Sequence, residues 1–185
     1  AHELIFGEAY TPETKDDFFT VSSSGMVSKQ FGDETYSTGF YVNNMYPHDG
    51  TLVDPNNPQS GYNGYLINQC PVKDGDLVEL FNYISDFYMD TYTWMLVDGA
   101  YTRDITVEAN TDLAVTVEGF WPISSSACED LEALIAMGQP CEGLHIGTVD
   151  AETGAITPLD GAVTNEDGAA TLCFAQPGTY LLAAY

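Results

Sequence analysis

The sequence predicts a mainly β protein of two small domains, the second a β-sandwich carrying one short helical insert. Three observations carry this expectation. Short stretches of alternating apolar and polar residues recur along the chain, as half-buried strands require. Turn-forming residues separate them, with 17 Gly and 9 Pro distributed over 185 residues. Only one stretch, 124–139, spaces its apolar residues at helical intervals.

In the N-terminal 20 residues, Phe6, Tyr10, Phe18 and Phe19 are mixed with acids, Pro12 marks a turn, and Leu4–Phe6 is a plausible strand. Two or three short strands follow over 21–45, with turns at Gly25 and at Gly32-Asp33. The clearest is Thr35–Val42, which places Tyr36, Thr38 and Phe40 on one side and Ser37, Gly39 and Tyr41 on the other. Residues 46–64, YPHDGTLVDPNNPQSGYNG, read as one long loop. A loop of this length is unusual in a compact domain, so it is either functional or an insertion needing its own ties. Tyr46, His48, Tyr62 and Tyr65 lie in or beside it. Tyrosines near asparagines supply rigid amphipathic contact area, which suits a binding surface; a lid folded onto a sheet fits equally well.

Asp74-Gly75 signals a tight turn or hairpin, and Leu77–Tyr83 is apolar enough on both faces for a central strand. The stretch 84–104 is dense in aromatics, among them Tyr88, Tyr92 and Trp94. Asp86 and Asp90 would share a face if it were helical. Thr91, Thr93, Trp94 and Val97 favour a strand instead, and packing of the aromatics is the leading reading. A domain boundary is placed at Gly99–Tyr101, giving domains 1–100 and 101–185.

The second domain is expected to open with a strand over Asp104–Ala109, followed by Leu113–Glu118 with Leu113, Val115 and Val117 inward. The helix over 124–139 would be capped by Ser125 or Ser126, carry Glu129, Asp130 and Glu132 near its start, and end at Gly138. Strands at Leu144–Val149 and Ile156–Leu159 follow, with turns at Asp150–Gly154 and Asp160-Gly161. His145 reads as a structural or surface residue. In the last stretch, Ala170, Leu172 and Phe174 point one way, and Thr171, Cys173 and Ala175 the other. Pro177-Gly178 turns the chain into a strand over Tyr180–Tyr185, and a hairpin would align the two.

Charge sets the partners. There are 28 acidic residues against 4 basic ones, a formal net charge of −24. Such a surface repels nucleic acid and anionic membranes. No apolar run reaches the ~18–20 residues needed to cross a bilayer, so no direct membrane contact is expected in this segment, and an export signal or anchor would lie outside it. No metal site is expected. No cofactor is expected either: the acidic turn 165–168 invites calcium, but its spacing lacks a full oxygen-ligand set. Four cysteines, at 70, 128, 141 and 173, include no CxxC pair. Cys128–Cys141 would close a modest loop and is the expected disulfide if the compartment is oxidising; the state of Cys70 and Cys173 is left open.

Residues 103–185 resemble the immunoglobulin-like domains of Gram-positive bacterial surface proteins. The pattern lies in ITVEANTDLAVTVEGF and GAVTNEDGAATLCFAQPGTYLLAAY. The first half, through GYNGYLINQCPVKDGDLVELFNY, resembles more weakly a β-grasp-like domain related to the C-terminal domain of transcobalamin; the tryptophan and the glycine after the asparagine of that pattern are missing. The resemblance implies an exported module, secreted or wall-attached. It transfers no catalytic motif and no vitamin-binding residues.

The expected function is therefore a non-enzymatic extracellular module for adhesion, ligand binding or spacing, with a glycan or a host or extracellular protein as partner. One alternative is a carbohydrate-binding module of a secreted enzyme, with Tyr62, Tyr65, Tyr88, Tyr92 and Trp94 stacking on sugar rings. The other is a hydrolase using Asp86, Asp90 or His48, which would need these groups together in a pocket.

Overall fold

A computed structural model describes residues 7, 9–34, 37–84 and 90–185. The fold is mainly β, built from antiparallel ladders, as the alternation and turn signals predict. The expected strand at Leu4–Phe6 lies outside the described residues, as do Thr35 and Tyr36. Two compact units are present: residues 1–90 with 121–134, and residues 91–120 with 135–185. Both therefore draw on residues from either side of Gly99–Tyr101.

The first unit contains three two-stranded ribbons: β1 (Phe19–Val21) with β2 (Val27–Gln30), β3 (Thr38–Val42) with β6 (Val78–Asn82), and β4 (His48–Leu52) with β5 (Tyr62–Gly64). The last of these corrects the long-loop expectation. Residues 48–64 form a hairpin whose tip is tied by its own polar side chains. Asp54 Oδ1 accepts from the Asn56 amide at 2.9 Å, Ser60 Oγ from the Asp54 amide at 2.9 Å, and Asn57 Oδ1 from the Gln59 amide at 3.1 Å. Composition concealed the strands because local side-chain bonds fix a turn-rich backbone as firmly as an apolar pattern does. Strand β6 is not central: among the described residues it pairs with β3 alone, and Val78 is exposed.

The expected helix over 124–139 is divided. A 3-10 segment, Pro122–Ala127, precedes α1 (Leu131–Ile135). The cap is Asp130, whose Oδ1 accepts from the Ala133 amide at 2.9 Å. Ser125 is fully buried instead, with its hydroxyl directed at the Pro122 carbonyl. The serine run, poor in helix formers, supports only the tighter turn.

The second unit has two sheets. In the larger, β9 (Asp112–Phe120) is the spine. Along one edge it pairs with β7 (Tyr92–Val97), which continues to β8 (Ala100–Tyr101). Along its other edge lie β13 (Ala169–Cys173) and β10 (Gln139–Pro140), end to end. The smaller sheet has β11 (His145–Val149) between β12 (Ile156–Val163) and β14 (Leu181–Ala184). Leu113, Val115, Val117 and Leu172 from the larger sheet and Ile146 and Ala162 from the smaller form one buried cluster. The two sheets thus face each other across it, and the inward alternation of β9 and β13 agrees with the sequence.

Three local expectations are corrected here. Residues 104–109 carry no ladder, although Val107 still packs on the cluster. Asp160-Gly161 lies inside β12, at a bulge where the register against β11 shifts. The strands on either side of Pro177-Gly178 are not a hairpin: β13 pairs with β9 and β14 with β11, so the chain crosses from one sheet to the other. Phe174 and Tyr180 stack across that crossing with centroids 4.6 Å apart.

Candidate functional site

In the first unit, β2, β3, the end of β6 and the segments around Tyr46 and 65–67 border a cleft of about 230 Å³. Its walls are largely aromatic: Phe40, Tyr41, Tyr46, Tyr65, Phe81 and Tyr83. Gln30 and Thr38 add amide and hydroxyl groups. No charged side chain lines it, although the chain carries −24.

Two glycines shape these walls. A β-carbon on Gly39 would overlap the Phe81 ring, so β3 can pass directly beneath that ring only as glycine. A β-carbon on Gly64 would overlap the Tyr46 hydroxyl, which packs against bare backbone there. Burial pushes the Tyr46 phenol above its usual value.

Tyr41 anchors the floor. It is 2% exposed, and its ring meets the edge of Phe81 at 5.1 Å; Phe81 in turn meets Tyr83 at 5.4 Å. The Tyr41 hydroxyl lies 3.0 Å from Ser125 Oγ and donates to the Pro122 carbonyl at 3.1 Å. Burial drives its pKa well up, against the lowering effect of the Ser125 hydrogen bond. The phenol therefore stays protonated and rigid.

Gln30 is wholly buried. Its Nε2 donates to Asn82 Oδ1 at 2.9 Å, which fixes the amide plane. Its Oε1 has no donor within hydrogen-bonding distance. A buried acceptor left in that state costs about 1–3 kcal/mol.

Of the seven ring-bearing candidates read from sequence, six lie among the described residues. Tyr46 and Tyr65 border the cleft. His48 and Tyr62 sit on the β4–β5 hairpin, stacked at 4.5 Å with 21° between the rings. His48 Nδ1 accepts from the Gly50 amide at 3.1 Å. Tyr92 and Trp94 belong to the second unit and pack with Phe120, the Trp94–Phe120 centroids being 4.9 Å apart. Trp94 is 4% exposed and cannot offer a face to a ligand. Tyr88 and Asp86 lie outside the described residues. Asp90 Oδ2 accepts from the Ile84 amide at 3.1 Å.

Sequence reasoning missed Gln30, Phe40, Tyr41, Phe81 and Tyr83 as site residues. The alternation of 35–42 placed Tyr41 on one face of its strand, but no local signal joins that face to residues 81 and 83. Only the β3–β6 register, which sets Gly39 opposite Phe81, does so.

The expected Cys128–Cys141 disulfide is absent: none of the four cysteines is in a disulfide. Cys128 is buried in the first unit and Cys141 half-buried in the second. Burial raises the pKa of both thiols, with Asp130 adding to Cys128 and Glu118 to Cys141. Among the described residues, no group of three or more His, Cys, Asp or Glu is placed to hold a metal. At the acidic turn, Asn165 Oδ1 already accepts from the Asp167 amide at 3.0 Å and the Ala169 amide at 2.9 Å. Among these residues no helix is long and apolar enough to cross a membrane.

Comparison with protein-family models, curated proteins and solved structures found no match.

Proposed function

We propose that the chain is a non-enzymatic, extracellular ligand-binding module of a bacterial surface protein. The observation that carries this reading is the uncharged aromatic cleft of the first unit. Its lining includes no carboxylate, imidazole or thiol. It supplies contact area and hydroxyls, which suit the holding of a ligand. A net charge of −24 suits a protein kept soluble in a salty exterior. The resemblance of residues 103–185 to bacterial immunoglobulin-like surface domains adds to the assignment. With no disulfide formed, the extracellular part of the reading rests on acidity and resemblance.

The test is a glycan and extracellular-matrix-protein array probed with the whole chain and with a Tyr46→Ala/Tyr65→Ala double variant. Binding to at least one class, lost in the variant, is the expected result. Silence across the array would leave a structural spacer and overturn the binding assignment.

A further inference from the structure

We infer that the open edge of β14 takes an extended, basic-flanked peptide segment of a partner protein as a fourth strand of the smaller sheet. This site belongs to the second unit and does not depend on the cleft being a binding site.

The ladder decides which backbone groups are open. His145 and Tyr185 exchange both backbone bonds, each at 3.0 Å. Tyr185, Ala183 and Leu181 therefore turn their amides and carbonyls toward β11, while Leu182 and Ala184 turn theirs away. β14 is the last strand of its sheet, and among the described residues no backbone group bonds to those of Leu182 or Ala184. Residues 104–109, strand-like in sequence, form no ladder with it. The opposite edge of the same sheet is guarded. β12 carries Pro158, Asp160 and its bulge, the devices by which natural sheets refuse a further strand. β14 has no charge, proline, glycine or bulge. A row of unpaired amides and carbonyls selects an extended backbone as its occupant.

Side chains set the pattern of that occupant. Ile146, Leu182 and Ala184 pack in or against the buried cluster, so the alternate residues of β11 and β14 face outward. There Leu181, Val149 and Ile156 form one cross-strand row, and Tyr185, His145 and Val163 another. Leu181, Ile156, Val163 and Tyr185 are exposed. A strand added at β14 prolongs these rows, which calls for apolar side chains at alternate positions.

Charge sets the flanks. No Lys or Arg follows Arg103 in the chain. Exposed Glu142, Asp150 and Glu152 lie near the ends of β11, and exposed Asp160 lies in β12. A second copy, at −24, is repelled by that rim, whereas lysines or arginines at the ends of an incoming strand meet it with opposite charge.

The experiment is amide hydrogen exchange on the ¹⁵N-labelled whole chain, alone and with the peptide KKTVTVTVKK. In the free protein the Leu182 and Ala184 amides should exchange at least about tenfold faster than the Ala183 amide, and saturating peptide should slow both by at least about tenfold. EETVTVTVEE should bind at least about tenfold more weakly. KKTVTPTVKK, equal in charge but lacking one donor, should bind at least about fivefold more weakly. Ala184→Pro removes one open-edge donor without breaking a bond to β11, and should weaken binding about fivefold. If crowding at the core prevents that variant from folding, Leu181→Ser, on a side chain 58% exposed, should weaken it about threefold. Equal binding of the two lysine-flanked peptides would overturn strand addition and leave charge attraction alone. Protection confined to β13 or to the ribbons of the first unit would overturn the location. Protection of Leu182 and Ala184 without peptide, growing with protein concentration, would make a second copy the occupant and overturn the partner. No change with KKTVTVTVKK would overturn the inference, and the cleft assignment would stand or fall on its own array result.

Discussion

At the scale of single residues, Tyr41 shows how one hydroxyl holds the floor of the cleft. It joins β3 to the 3-10 segment Pro122–Ala127 through Ser125 and the Pro122 carbonyl. Tyr41→Phe removes these bonds without orphaning their partners, because the Ser125 hydroxyl also donates to the Pro122 carbonyl. The expected cost is therefore at the low end for a buried hydrogen bond, about 1 kcal/mol at pH 7. The pH dependence has a definite sign. Burial raises the folded pKa of Tyr41 above that of the unfolded chain, so folding favours the protonated phenol. That contribution is complete below about pH 10 and is lost as pH rises further, by up to about 1.4 kcal/mol per pH unit. The variant lacks this slope. Urea midpoints of the two proteins should converge above pH 10 and cross near about pH 11. A constant difference from pH 7 to 11 would show that Tyr41 is not shielded from solvent in the folded protein.

At the scale of elements, the same dipeptide produced three different structures. Asp-Gly at 74–75 makes a tight turn, with the Asp76 amide bonded to the Lys73 carbonyl at 3.1 Å. At 98–99 both residues have positive φ, 52° and 74°, and join β7 to β8 as a two-residue hairpin. That pair lies beside the stretch read as a domain boundary. At 160–161 it bulges within β12. Sequence marks where backbone can turn, but pairing with a distant strand decides what the turn becomes. For the same reason the alternation of β9 and β13 was legible in full, while the partners of β13 and β14 were not. Surroundings decide energetics as well. Gly161 and Gly168 have nearly equal φ, 69° and 70°. A β-carbon on Gly161 meets nothing, whereas on Gly168 it would overlap the Val117 carbonyl oxygen, and the Gly168 carbonyl accepts from the Val117 amide at 2.8 Å. Gly161→Ala should cost about 1 kcal/mol from backbone strain alone. Gly168→Ala should cost at least about 2 kcal/mol more, because β9 must shift. Equal losses in urea denaturation would mean that the Gly168 backbone can move away freely.

At the scale of the whole molecule, composition was the most legible property, and the candidate site the least. The site unites residues 25–27, 30, 38–41, 46, 65–67, 81 and 83, separations that no local pattern spans, and its floor is braced by residues 122 and 125. Charge, in contrast, is read by counting, and it makes a prediction for the folded chain. With 28 acids and 4 bases, most carboxylates have no cation to face; Lys15, 3.8 Å from Asp16, is exposed on both sides of its pair. Self-repulsion among the carboxylates therefore opposes the compact state. Screening shortens its reach from about 10 Å at 0.1 M salt to about 3 Å at 1 M. The melting temperature should rise by several degrees as NaCl goes from about 20 mM to about 1 M. KCl at equal ionic strength should do the same. Calcium separates screening from a specific site. A dedicated site gathers about 6–8 oxygens and, in extracellular modules, saturates at about 0.1–1 mM; the described residues show no such cluster. At fixed ionic strength, about 2 mM CaCl2 and an excess of chelator should therefore give the same melting temperature. A step upward with calcium would place a metal site in this fold, and a melting temperature indifferent to NaCl would show that the acidic side chains are spread too widely to repel one another.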